Sequence, residues 1–247
     1  MARVLSTVVV LALLAATAVA FAITEGAKLD KSPIAATQVD PVFSPEGTTH
    51  PAAHIRFRLR TRERISVWIR DADGHNVRTL LTSRNAPRGA RFNLVWDGFS
   101  PTGIVQPDGT YEPVVKLGRS HRTIVLPSPI RVDTKPPTIT VRHPIYPLLS
   151  PDGDGFHDNF RVHYVLNEPA HAILRVRGRN VVFTLGQKLT GELFWNGRLK
   201  GRPARPGRYL MTVAAQDRAG NISKGLPFAI AQIRYVVISR DRVVVVA

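Results

Sequence analysis

The chain has 247 residues, 44% of them apolar, and its 34 basic and 18 acidic side chains give a formal net charge of +16. That length suits one large or two ordinary domains, and the charge favours anionic partners such as lipid head groups, wall polymers or acidic glycans. The absence of cysteine excludes disulfide frameworks, thiol nucleophiles and cysteine zinc sites, so stability must come from core packing.

The first predicted element is the uncharged run VLSTVVVLALLAATAVAFAIT, 21 residues between Arg3 and Glu25. At about 1.5 Å per residue it just spans a hydrocarbon core. It also has the anatomy of a secretory signal, with Arg3 ahead of it and Ala18-Val19-Ala20 or Ala20-Phe21-Ala22 as small-x-small cleavage positions. Residues 1–24 therefore read as a signal anchor or a cleaved signal peptide. Both put the rest of the chain outside the cytoplasm, and an anchor would leave the N-terminus inside. Residues 25–39 are small and weakly charged and read as a linker.

From residue 40 the pattern changes to period two, as in Ile55-Arg56-Phe57-Arg58-Leu59 and Ile65-Ser66-Val67-Trp68-Ile69, with Gly and Pro between the runs. This predicts short half-buried strands and an all-β sandwich architecture. The chain then repeats itself. A first copy runs from Ser44-Pro45-Glu46-Gly47 through Trp96-Asp97-Gly98 to Pro107-Asp108-Gly109-Thr110-Tyr111. A second runs from Ser150-Pro151-Asp152-Gly153 through Trp195-Asn196-Gly197 to Pro206-Gly207-Arg208-Tyr209. The expected domains are 40–133 and 134–247, with 134–138 (Thr-Lys-Pro-Pro-Thr) a short stiff joint because its prolines hold an extended backbone. Trp96, Tyr111, Trp195 and Tyr209 are predicted core anchors whose polar tips need partners. Stacking of these rings on sugars is the alternative.

The ordered set Val67, Ile69, Asp71, Gly74, Val77, Arg78, Leu80, Trp96-Asp97-Gly98, Pro107, Gly109 and Tyr111 resembles the Ig-like domain of the flagellar hook-capping (FlgD) family, which recurs in bacterial surface and secreted proteins. The second copy diverges. Arg177 and Arg179 flank Gly178 where an aspartate and a longer turn belong, and Asn196 replaces aspartate. The resemblance covers about residues 40 to 235 and implies two tandem Ig-like β-sandwiches behind the N-terminal hydrophobic helix. It implies no hook-capping role, since nothing outside the module is shared.

Three features remain as candidate sites. SPDGDGFHDNF (residues 150–160) brings Asp152, Asp154 and Asp158 together. These carboxylates suit calcium, but the spacing is not that of an EF-hand, and turn formation before a strand is the alternative. His157 with Asp154 and Asp158 is a weaker transition-metal candidate. Arg56, Arg58, Arg60, Arg62 and Arg64 share one parity and predict a basic stripe, repeated by Arg175, Arg177 and Arg179; such a face attracts anions or protects a strand edge. Nucleic acid is not expected, because no reading motif and no interleaved aromatics accompany the arginines. At the C-terminus, Tyr235-Val236-Val237-Ile238 and Val243-Val244-Val245-Val246 predict a hairpin, or a last strand followed by the start of a third repeat. No catalytic motif and no cofactor fingerprint occurs. The reading is a non-enzymatic cell-envelope structural or adhesion module. The alternatives are a calcium- or glycan-binding surface module and an accessory subunit docking a partner through its C-terminal strand.

Overall fold

The computed structural model describes residues 12–19, 21, 32–142, 148–239 and 242–246. Residues 12–19 are helical and exposed, and the Thr17 hydroxyl donates to the carbonyls of Leu13 and Leu14. The rest of the expected membrane or signal segment lies outside the described residues. Among those described, no helix is long and apolar enough to cross a membrane.

The first half comprises β1 (Ile34–Val39), β2 (Val42–Phe43), β3 (Ala53–Leu59), β4 (Glu63–Arg70), β5 (Asn76–Ala86), β6 (Arg91–Trp96), β7 (Gly109–Leu117), β8 (Arg122–Val125) and β9 (Ile130–Val132). One sheet has the order β1-β3-β6; the other has β2-β9-β7-β4-β5, with β8 beside β7. All pairs are antiparallel except β2 with β9. Alternation does what period two requires: Ala53, Ile55, Phe57 and Leu59 of β3 and Ile65, Val67 and Ile69 of β4 all point into one core between the sheets. The resulting Ig-like sandwich is the architecture that the alternation predicts.

One expectation is corrected. Ile34–Val39, assigned above to a linker, is a strand of this sandwich. Ile34 pairs with Leu59, and Ile34 and Val39 join the core. A bulge between Ala35 and Gln38 interrupts the alternation that would have revealed it.

The second half comprises β10 (Ile139–Val141), β11 (Leu148–Leu149), β12 (Phe160–Val176), β13 (Arg179–Phe183), β14 (Lys188–Trp195), β15 (Arg198–Leu199), β16 (Arg202–Pro203), β17 (Gly207–Gln216) and β18 (Leu226–Ile233). β12 serves both layers. Its first part pairs with β10 and β14, and its last part with β13 and β17. It thus fuses the counterparts of β3 and β4. β11 lies parallel to β18, as β2 does to β9, and a second core forms around Trp195, Tyr209 and Leu174. The chain ends in a hairpin of β19 (Tyr235–Ser239) and β20 (Arg242–Val246).

The repeated motifs are packing units. A Cβ on Gly98 would lie 2.4 Å from Pro45, and one on Gly197 would lie 2.7 Å from Pro151. Both glycines also have positive φ (80° and 70°), so no other residue fits. The Ser-Pro turn and the Trp-x-Gly turn are therefore two sides of one contact in each copy. Trp96 meets Tyr111 edge-on at 4.9 Å and Trp195 meets Tyr209 at 6.4 Å. All four rings are at least 96% buried, which removes them as sugar-stacking platforms. Each tyrosine hydroxyl donates to the carbonyl four residues back, Tyr111 to Pro107 and Tyr209 to Arg205, both at 2.8 Å. Trp195 Nε1 donates to the Arg198 carbonyl, whereas Trp96 Nε1 finds no acceptor among the described residues.

The corner bond of the second copy should be measurable by urea denaturation. Tyr209→Phe is expected to cost about 1 kcal/mol, the net worth of one such hydrogen bond. Trp195→Ala, which also empties the core, should cost about 3–5 kcal/mol.

Candidate functional site at the joint between the sandwiches

Asp133 follows β9 directly, Glu168 sits in β12 where that strand passes between layers, and Asp217 follows β17. The fold carries these three acids to one place, where a carboxylate oxygen of each lies within 4.8 Å of the others. Asp133 and Asp217 are buried and Glu168 is half-buried. Asn221, in the turn before β18, ties the group together. Its buried Nδ2 donates to the Asp133 carbonyl and to Asp217 Oδ2, each at 2.8 Å, and its backbone N–H donates to Asp217 Oδ1 at 2.9 Å. Lys135 N–H donates to Asp133 Oδ1, and the Arg131 guanidinium lies 3.0 Å from Asp133 Oδ2.

The joint itself is pinned at both ends. Thr134 donates its N–H and its hydroxyl to Asp108 of the first sandwich, and Thr138 N–H donates to Asn167 of the second. The sandwiches also touch directly. Gln216 donates to the Thr49 hydroxyl, and Gly220 approaches Thr49 and His50 so closely that a Cβ would lie 3.1–3.2 Å from them. Two open pockets of about 380 and 340 Å³ flank this contact and share Pro41, Val42, Gln187, Asp217 and Arg218.

Burial raises the pKa of Glu168, and the negative charges of Asp133 and Asp217 raise it further; Arg131 offsets part of this. An all-oxygen cluster of this kind has the ligand chemistry for a hard divalent cation. The sequence reading missed it because its members come from three distant segments. The available signal was an aspartate closing each of two turn motifs, Asp133 before Thr-Lys-Pro-Pro and Asp217 in Asp-Arg-Ala-Gly-Asn.

The predicted aspartate loop is built differently. Asp152, Asp154 and Asp158 do converge to within 4.8 Å, without His157 among them. Their oxygens hold the loop's own backbone: Asp158 accepts from the N–H of Gly153 at 2.7 Å and of Gly155 at 2.8 Å, and Asp154 accepts from Phe156 at 2.7 Å. Asp152 accepts from Asp154 N–H and from the Ser150 hydroxyl. These are turn-forming bonds that aspartate makes anywhere. A third group, Asp71 with Asp73 and His75, closes the β4–β5 turn in the same manner, Asp71 accepting from both N–H groups.

The basic stripes are corrected. Arg56 and Arg58 lie on the outer face of β3, but Arg60 and Arg62 fall in the connection and Arg64 lies on β4, in the other sheet. The shared parity is therefore not a shared face, because the chain changes layers between Leu59 and Glu63. In the second sandwich Arg175 donates to the Asn180 side chain, and Arg177 occupies the β12–β13 turn with its guanidinium 4.2 Å from the Tyr209 ring. Arg179 opens β13 and is exposed. What the structure does assemble is Arg56 and Arg58 with Arg91, which pairs directly with Arg58 across β3 and β6.

No family model matches the chain, and no curated protein matches it. Solved structures do. The fibronectin(III)-like modules of Clostridium thermocellum CbhA align over 80% of this chain and 92% of theirs, at 16% identity and a TM-score of 0.40. The BSP domain of a biofilm-associated protein aligns over 80% of this chain and 30% of its own, at 12% identity and a TM-score of 0.28. The three N-terminal domains of the bacteriophage RB49 highly immunogenic outer capsid protein align over 80% of this chain and 58% of theirs, at 11% identity and a TM-score of 0.31.

Two outcomes follow for the joint. Asn221→Ala leaves buried acceptors unpaired and should cost about 1–3 kcal/mol; in calorimetry the two sandwiches should then melt further apart. Glu168 binds its proton more tightly folded than unfolded, so its contribution to stability is fully present below the ordinary glutamate range and is lost as pH rises through the raised folded value. Glu168→Gln should remove that loss, and the stability of wild type relative to the variant, measured by denaturant from acid to neutral pH, should fall across that window.

Proposed function

We propose that this chain is a non-enzymatic interaction module of the bacterial cell envelope, held outside the cytoplasm by residues 4–24 as an anchor or released after their cleavage. The observation that carries the reading is the joint. Two sandwiches, each with its own core, are joined by one buried hydrogen bond, Asn221 to the Asp133 carbonyl, and by exposed ones at Thr49, Thr134 and Thr138, so their free faces are presented in a set relation. This is what a structural or adhesive spacer needs and what catalysis does not require. The pockets beside the joint support the same reading. In the larger of them the Thr49 hydroxyl accepts from Gln216 and His171 is held by the Thr184 carbonyl, so both side chains serve the packing around the joint. The flagellar-type Ig-like motif of the first copy and the hydrophobic N-terminus fit an exported module. The high positive charge fits anionic envelope material as its surroundings.

The test is a fusion of alkaline phosphatase after Ala247, expressed in a bacterium. The enzyme folds only outside the cytoplasm, so the fusion should be active, and deletion of residues 4–24 should abolish the activity. An inactive fusion of intact length would overturn the reading.

A further inference from the structure

We propose that the outer face of the β1-β3-β6 sheet is a binding site for an anionic glycan bearing phosphate or sulfate esters, with Arg58 and Arg91 as its anchors and Arg56 and Asn93 beside them. This rests on the envelope reading and gives it a ligand. Arg58 lies directly across from Arg91, and Arg56 from Asn93. Directly opposed like charges destabilise a sheet, so the fold alone gives no reason for this pair. The nearest compensation is Asp40, 3.8 Å from Arg56; among the described residues no carboxylate pairs with Arg58 or Arg91.

The second sandwich supplies an internal control. Trp96 pairs with Ala53 and Trp195 with Phe160, which aligns the two sheets residue by residue. The counterpart of Arg58 opposite Arg91 is Val165 opposite Thr190, and that of Arg56 opposite Asn93 is His163 opposite Glu192. Glu192 there lies 3.8 Å from both Arg161 and His163. The same fold therefore forms with a neutral pair and a balancing acid. The two unbalanced guanidinium groups, Arg58 and Arg91, are private to the first sheet.

The face is also shaped. Ala36, at the bulge of β1, has a left-handed φ of 51°, a conformation that costs a non-glycine residue energy. It lines a depression of about 480 Å³ with Arg56, Phe57, Arg58, Arg91, Phe92 and Asn93. Guanidinium forks match tetrahedral oxyanions bidentately, and opposed side chains about 5 Å apart can grip one ester together. Asn93 adds a neutral donor and acceptor suited to hydroxyls. A concave site takes up a polymer chain better than the plane of a bilayer. Phe57 and Phe92 beneath it face the core and are at least 92% buried, so no ring is offered for stacking nucleobases.

The experiment uses the full chain and a sulfated heparin octasaccharide as probe, followed by calorimetric titration at fixed salt. A glycerol-phosphate wall polymer is run alongside to tell phosphate from sulfate esters. The site variant is Arg58→Val with Arg91→Thr, which copies the second sandwich. The control is Arg122→Gln with Arg202→Gln, which removes the same charge from exposed positions elsewhere. The site variant should bind at least about tenfold more weakly, the loss of two charge-assisted contacts, and the control should change less than about twofold. The melting temperature of the site variant should hold or rise, because a like-charge pair has gone; a fall together with lost binding would mean the arginines are structural and would overturn the proposal. Equal losses in both variants, or a site effect on phosphatidylglycerol vesicles and none on either glycan, would also overturn it. An active phosphatase fusion whose chain leaves both glycans unbound refutes the site alone.

Discussion

The side-chain amide of Asn221 commits its N–H donors to two buried acceptors, the carbonyl of Asp133 and Oδ2 of Asp217. All three residues are buried. A buried acceptor without a donor costs more than a hydrogen bond gains, so the last residue of one sandwich has one place to sit against the other. Asp108, Thr134, Thr138 and Asn167 then hold the intervening chain, and the contact of Gly220 with Thr49 and His50 closes the gap. The prolines at 136 and 137 limit what the joint can do; the hydrogen bonds decide what it does.

Much of the fold was legible because two physical rules leave marks at short range. Alternation shows wherever one face is buried and the other wet, so β3, β4 and the start of β12 could be read residue by residue. The paired recurrence of Ser-Pro and Trp-x-Gly could be read as a repeat, and the structure gives its cause. Each proline fills the space over a glycine that has no room for a side chain. Two motifs about 50 residues apart persist together because they are one contact.

What escaped the sequence escaped for equally physical reasons. β1 carries its bulge in the middle of a six-residue strand, which destroys the period over most of its length. The arginine stripe kept its parity across a change of sheet, and parity says nothing about layer. Arg91 went unnoticed because the partner that gives it meaning, Arg58, lies 33 positions earlier and is set beside it only by register. The acids of the joint are likewise brought together by topology. The aspartate loop shows the converse error. Its crowding was the most visible feature of the sequence, yet the crowding is largely what a tight turn built on two glycines requires, since the carboxylates bind the N–H groups of the turn itself.

The two copies separate what the fold needs from what it merely carries. Positions that both keep, the Trp, the Gly beneath the Pro, and the Tyr bonded to the carbonyl four residues back, are those where the geometry admits few alternatives. Positions where they part company, Glu46 against Asp152 in the first turn or Arg58 against Val165 on the outer sheet, are those the sandwich tolerates either way. A costly arrangement at a tolerant position calls for a cause outside the fold. By that reasoning an aspartate that satisfies its own turn demands no ligand. A pair of unneutralised arginines placed face to face beside a strained bulge has no such internal cause.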